Sequence, residues 1–144
     1  MNISHLKTGF TLIELMITIA IIAIIATIAI PSYRDSVRRS NRTEAMTALM
    51  NVAANQESFY LQNNIYSDDA SELGFAANPG ITEHGYYLVA IVADPTLVQG
   101  FNATATKAGA QSDDTDCAEF TIDHDGIRTA ENSGGTDNTD ECWR

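Results

Sequence analysis

One carboxylate, Glu14, stands inside an otherwise apolar run, FTLIELMITIAIIAIIATIAI at residues 10–30, four places after its first residue. A charge in such surroundings needs a counter-charge or a polar boundary within reach, so Glu14 is the first side chain whose chemistry calls for explanation. Cys117 and Cys142, the two cysteines of the chain, are the second candidate. An even, isolated pair in a small acidic domain suggests a disulfide and an oxidising compartment, against the alternative of two free thiols. Without neighbouring His or Cys partners the pair is a poor structural zinc site. Other reactive types are scattered. His5, His84 and His124 stand singly, no Gly-x-Ser-x-Gly context accompanies a serine, and NSGGTD at 132–137 is polar loop rather than a strand-to-helix phosphate cradle. Asp113, Asp114, Asp116, Asp123, Asp125, Asp137, Asp140 and Glu141 offer oxygens that calcium could use, but TIDHDG at 121–126 has no acid at the first position of an EF-hand loop. Those acids read as a turn and a solvated acidic surface. No catalytic set, metal site or cofactor is assigned, and the chain is not read as an enzyme.

These side chains must be positioned by few elements. The 144 residues leave room for one domain once a membrane segment is set aside. The net charge of −11 is unevenly spread: Lys7 precedes the apolar run, Arg34, Arg38, Arg39 and Arg42 follow it, and beyond residue 42 only Lys107, Arg128 and Arg144 face seventeen acids. Such a body repels phosphates, which argues against nucleic acid as a partner. The arginines near the run read as solvated, as headgroup contacts or as partners for acids of neighbouring chains.

Residues 10–30 would span about 31 Å as a helix, the thickness of a bilayer's hydrocarbon core. A cleaved secretory signal has a shorter apolar core and an A-x-A-like site, absent here, so the run reads as a retained single-pass helix. Its flanking charges would leave the C-terminal part in the cytoplasm, whereas the cysteine pair places it on the oxidising side, the reading preferred here. Pro31 follows the run. Beyond it Tyr33, Val37, Ala45, Ala48, Leu49, Val52, Gln56, Phe59 and Tyr60 recur at spacings of mostly three and four, which predicts one helix continuing to about Gln62, amphipathic in its second half and kinked at the proline.

KTGFTLIEL at residues 7–15 resembles the class III signal of type IV pilins and prepilin-like proteins: a basic leader, a Gly, then Phe-Thr-Leu-Ile-Glu opening the apolar helix. The resemblance implies that prepilin peptidase cuts between Gly9 and Phe10, that Phe10 is N-methylated, and that Glu14 is the acid at the fifth mature position. It also implies that Glu14 pairs with the amine of a neighbouring subunit to set register in a filament. Physically, the cut creates an α-amino group with a pKa near 8, and Glu14 lies one helical turn away on the same face. Its partner could be that amine, a neighbour's, or the lipid headgroups. Pro31 has a counterpart in the family, which implies that the helix just before it extends on assembly; a simple kink fits the sequence equally.

Residues 63–86 read as loop, 86–93 and 101–108 as strands, and 117–130 as a hairpin in which Phe120 and Ile122 share a face, Asp125-Gly126 turns, and Ile127 and Thr129 return. Three or four antiparallel strands could cover the helix stripe, giving an α+β fold with a long N-terminal helix packed on a small antiparallel sheet; the resemblance implies that this is the type IV pilin fold. Bridging Cys117 to Cys142 would tie down the polar tail NSGGTDNTD, which has little to bury. The arrangement resembles the disulfide-bounded C-terminal region of pilins, and the Cys-Trp ending resembles PilE-type minor pilins. Trp143 is either a lid on the hydrophobic edge, the preferred reading, or an exposed contact. The expected organisation is a leader (1–9), a membrane and assembly half-helix (10–30), an amphipathic half-helix (31–62) and a head (63–144). The expected function is that of a minor pilin of a type IV pilus supporting biogenesis, motility or adhesion; a major pilin, a type II secretion pseudopilin and an adhesive or DNA-capturing tip subunit are the alternatives. Its implied partners are other pilin subunits, the inner membrane, prepilin peptidase and the assembly machinery. Its implied location is the inner membrane with a periplasmic head, then an extracellular pilus.

Overall fold

The computed structural model describes residues 9–94 and 100–144, with the side chain of Asp94 outside that description. Lys7, His5 and the rest of the expected leader before Gly9, and Pro95 at the end of the first expected strand, lie outside the described residues. The chain forms two compact units, Met1–Val37 and Arg38–Arg144. Helix α1 (Leu12–Asn63) contains Pro31 and contributes to both.

In the first unit, α1 opens at Thr11, whose Oγ1 accepts the Glu14 N–H at 3.3 Å. From Phe10 to Ile30 every large apolar side chain is more than half exposed, and α1 is long and apolar enough to cross a membrane. The two threonines inside the run donate their hydroxyls to carbonyls three residues back, Thr18 to Leu15 and Thr27 to Ile24, both at 2.7 Å. Satisfied in this way, a hydroxyl adds little cost in hydrocarbon.

In the second unit, α1 buries Arg42, Ala45, Leu49, Val52 and Gln56, a stripe at alternating steps of three and four. The stripe begins later than expected. Tyr33 is 72% exposed and Val37 38%, and the side chain that starts the buried face is the charged Arg42. The helix closes at Asn63, one residue beyond the expected end. Asn64 takes the left-handed conformation (φ 58°), and its N–H donates to the Tyr60 carbonyl at 2.8 Å.

The sheet has five strands, β1 (Gly80–Ile81), β2 (Tyr87–Asp94), β3 (Gly100–Lys107), β4 (Glu119–Asp123) and β5 (Arg128–Glu131), paired antiparallel in sequence order. The extra strand is β1, two residues too short to show a period. Tyr87, Val89 and Ile91 of β2 alternate inward, as do Phe101, Ala103 and Ala105 of β3, Phe120 and Ile122 of β4 and Ala130 of β5; with Ala45, Leu49 and Val52 of α1 they form the core. The β4–β5 turn is wider than expected. Asp123 Oδ1 accepts the N–H groups of both Asp125 and Ile127, and Gly126 (φ 77°) donates to the Asp123 carbonyl. That capture holds Ile127 in the turn, 58% exposed, and Ala130 takes the inward place. The loop after α1 folds one 3₁₀ turn, Ala70–Leu73, capped by Asp69. The fold is therefore α+β, a long helix packed on an antiparallel sheet.

Candidate functional site

Two regions hold the residues singled out in the sequence. The first is the start of α1. Gly9 and Phe10 are exposed, Phe10 by 87%, and a Cβ added to Gly9 would meet nothing within 4 Å. This is an accessible backbone. Glu14 follows in the first turn, where its charge complements the free N–H groups and the positive end of the helix dipole. Thr11-Leu12-Ile13-Glu14 has the T-x-x-E order of a capping box, and the Thr11 half of that box is formed. The spacing was legible in the sequence and gives Glu14 a local task beside any intermolecular one. Pro31 lies inside α1, where it offers no N–H to the carbonyl of Thr27.

The second region joins α1 to the C-terminal segment. Cys117 and Cys142 form a disulfide, with Cα atoms 5.7 Å apart and both residues buried. Beside it lies an ion pair: Arg42 Nε and Nη2 donate to Asp114 Oδ2 and Oδ1 at 2.7 and 2.8 Å, with the two side chains 7% and 1% exposed. Asp114 also accepts Gln111 Nε2–H at 2.9 Å and the backbone N–H groups of Asp116 and Cys117 at 3.2 Å. Burial pushes the Asp114 carboxyl up, but the bonds from Arg42 and from Cys117 outweigh it and hold the group below the ordinary carboxylate range. The hydrogen bond to Asp114, against the opposing effect of burial, raises Arg42. Gln111 extends the network to α1, accepting from Asn41 Nδ2 and donating to the Arg38 carbonyl, both at 3.1 Å. Nothing in the spacing of residues 42 and 114 announced this pair. An arginine at the edge of an apolar stripe, in step with Ala45 and Leu49, was the available signal.

The polar tail is fixed by side chains as well as by the disulfide. Asn132 Oδ1 accepts the N–H groups of Gly134 and Thr136, Thr139 Oγ1 accepts that of Ala130, and Asn138 Nδ2 donates to the Asp116 carbonyl. Lys107 Nζ donates to the Asp114 carbonyl at 2.7 Å and to Ser133 Oγ at 2.8 Å. The short helix α2 (Thr139–Cys142) brings Cys142 and Trp143 to the sheet. Trp143 packs edge-on against Phe120 at 5.8 Å and donates Nε1–H to the Thr129 carbonyl at 2.8 Å, while the Arg128 guanidinium lies 5.4 Å from its ring. Trp143 is a lid over the hydrophobic edge. Most of the basic residues of this unit are thus engaged: Arg42 with Asp114, Lys107 with the Asp114 carbonyl and Ser133, Arg128 with Trp143, and Arg144 with Glu141 at 3.7 Å. Of the acids set aside as calcium candidates, Asp114 serves Arg42 and Asp123 shapes a turn.

A family model described as "Type IV minor pilin ComP, DNA uptake sequence receptor" matches residues 31–121, and one described as "Prokaryotic N-terminal methylation motif" matches residues 5–30. The type IV major pilin protein PilA of Myxococcus xanthus is 39% identical over 78% of this chain and 50% of its own length. The fimbrial protein EcpC of Eikenella corrodens is 34% identical over 74% of this chain and 67% of its own. The type IV major pilin protein PilE of Neisseria gonorrhoeae is 38% identical over 53% of this chain and 46% of its own. The matched stretch therefore spans about half the length of two of these three relatives. A solved type IV pilin from Shewanella oneidensis aligns with 63% of this chain and 89% of that one, at 25% identity and a TM-score of 0.47.

Proposed function

This chain belongs to the type IV pilin family, and on that premise we propose that it is a minor structural subunit of a type IV pilus, cut by prepilin peptidase between Gly9 and Phe10 and N-methylated on Phe10. The observation that carries this reading is the start of α1: an accessible Gly9-Phe10 bond, one acid in the first turn, and a span whose apolar side chains are exposed along its length. Such a surface needs hydrocarbon or other helices like itself. Before assembly the chain is anchored in the inner membrane with its head in the periplasm, and the buried Cys117–Cys142 disulfide supports that oxidising side over the one favoured by the flanking arginines. After assembly it lies in the extracellular filament among other pilin subunits, placed there by the pilus assembly machinery. Glu14 pairs with the Phe10 amine of a neighbouring subunit, and Pro31 marks where α1 is weakest when the helix leaves the bilayer. No step of this function is catalytic. The pilus serves biogenesis of the filament, motility or adhesion.

Minor status is supported by the description of the matching family model, while two relatives carry the description of major pilin. Quantitative mass spectrometry of sheared filaments tests it. This chain is expected far below the abundance of the main subunit, and a dominant band at its mass would make it the major pilin.

A second reading, DNA capture, is favoured by the same family match. Electrostatics oppose it, since the acids of the head outnumber its bases and most of the bases are already engaged by other residues. A gel-shift titration of the full chain in detergent with duplex DNA at low salt separates the two. No retarded band is expected; a band that fades as salt rises would establish DNA binding.

A further inference from the structure

A trough of about 790 Å³ in the unit Arg38–Arg144 serves none of the roles above. Its floor is one face of α1, on which Ser40, Glu44, Thr47, Asn51 and Asn55 follow one another up successive turns. Its walls are the segment after the 3₁₀ turn, residues 73–76, and the β1–β2 connection, residues 81–86. The floor is rich in hydrogen-bonding groups and carries one carboxylate, Glu44, which is already bonded to His84. Among the described residues the side chains of Thr47 and Asn51 have no hydrogen-bond partner, and Asn55 commits one Nδ2–H to the Leu73 carbonyl at 2.7 Å.

The walls add apolar surface, Ile81 at 58% exposure with Leu73 beside it, backed by two aromatic rings that pack on the core. Phe75 lies flat against Gly80, where an added Cβ would sit 2.6 Å from the ring. His84 stacks on Tyr86 with the ring centres 5.6 Å apart and the planes 16° from parallel. Both Glu44 oxygens anchor His84, one accepting its backbone N–H at 3.1 Å and the other lying 2.7 Å from Nδ1.

This combination selects a chemistry. Glu44 and Glu83 line the trough and, among the described residues, no lysine or arginine does, so a phosphate, a nucleic acid or a sialylated glycan would meet carboxylates without a compensating cation. A docking helix needs apolar anchors along the length of the groove, whereas here the apolar residues Leu73, Phe75 and Ile81 stand in the walls and the floor is polar apart from Ala48. A ligand that suits it is uncharged, carries many hydroxyls and has one apolar face: hydroxyls match amide and hydroxyl side chains that both donate and accept, and polar groups placed beside apolar surface fix a small ligand's orientation. We propose that the trough binds a neutral saccharide unit, with Thr47 and Asn51 bonding its hydroxyls and the exposed Ile81 side chain, beside Leu73 in the wall, packing its C–H face. The site lies within the unit Arg38–Arg144 and does not depend on whether the subunit is minor or major.

Saturation-transfer NMR on the full chain in detergent, with the methyl glycosides of galactose, glucose, mannose and N-acetylglucosamine as probes, tests it. Transfer to at least one probe is expected, with affinity falling about tenfold or more in Thr47→Ala/Asn51→Ala through the loss of two hydrogen bonds. Both positions are exposed on a helix where alanine is favourable, so the double variant is expected to keep the thermal midpoint of the parent. Absence of transfer to all four probes would overturn the proposal. Equal transfer to a double variant with an unchanged midpoint would overturn the site, and binding confined to sialyllactose would overturn the neutral class.

Discussion

Glu14 carries two tasks that substitution can separate. As an acid in the first turn it complements the helix N-terminus, worth roughly 0.3–1 kcal/mol; as half of an intermolecular ion pair its charge decides assembly. Glu14→Gln keeps the shape and the capping order while removing the charge. It is expected to leave cleavage after Gly9 intact and to abolish recovery of the chain in sheared filaments by immunoblot, and normal recovery would show that the charge is dispensable. Arg42 and Asp114 are a different kind of pair, buried within one chain. Removing one partner strands the other, so Arg42→Ala is expected to lower head stability by about 3–5 kcal/mol, while Arg42→Met/Asp114→Leu recovers most of the loss. The pH dependence follows from the direction of the Asp114 shift. Its folded carboxyl is depressed, so the unfolded chain binds that proton more readily. The stabilisation is whole above the unfolded carboxylate's pKa near 4 and is lost as pH falls through the folded value. Thermal melts from neutral pH down to about pH 3 should show this decline, and Arg42→Met/Asp114→Leu should flatten part of it.

Elements differ in how openly the sequence declares them. The span at residues 10–30 is legible from length and apolarity, and the second half of α1 from steps of three and four, because both are long enough for a period to repeat. β2 and β3 are legible for the same reason. β1 is not, since two residues carry no period, and its pairing with Val89 and Leu88 is set by tertiary context. The β4–β5 hairpin is legible in type and displaced in detail, because the Asp123 carboxylate competes for the Ile127 N–H and lengthens the turn. The buried face of α1 is misjudged at its start for a related reason: Arg42 looks like part of a solvated basic cluster until its partner, 72 residues away, is placed. The disulfide was legible from cysteine count and setting, the hydrogen-bonded order of the tail was not. Replacing both cysteines, Cys117→Ser/Cys142→Ser, is expected to cost roughly 3–4 kcal/mol by the loop-entropy account. The side-chain bonds of Asn132, Asn138 and Thr139 should then retain part of the tail's order, seen as residual hydrogen-exchange protection at Ala130, whose N–H donates to Thr139 Oγ1.

For the molecule as a whole, two units divide the labour: Met1–Val37 supplies exposed apolar helix, and Arg38–Arg144 supplies a disulfide-bonded acidic head. Fold and family were readable from KTGFTLIEL, the span and the cysteine pair, because each constrains many residues at once. The trough was not, since it arises from three segments, at 40–55, 73–76 and 81–86, that only the fold brings together. All the proposed behaviour in the filament depends on one covalent event, the cut that frees an amine one turn from Glu14. Mass spectrometry of the chain's N-terminal peptide from sheared, purified pili tests that event directly. The account predicts a peptide that begins at N-methyl-Phe10; a filament-borne chain that begins at Met1, or at any residue other than Phe10, would contradict it.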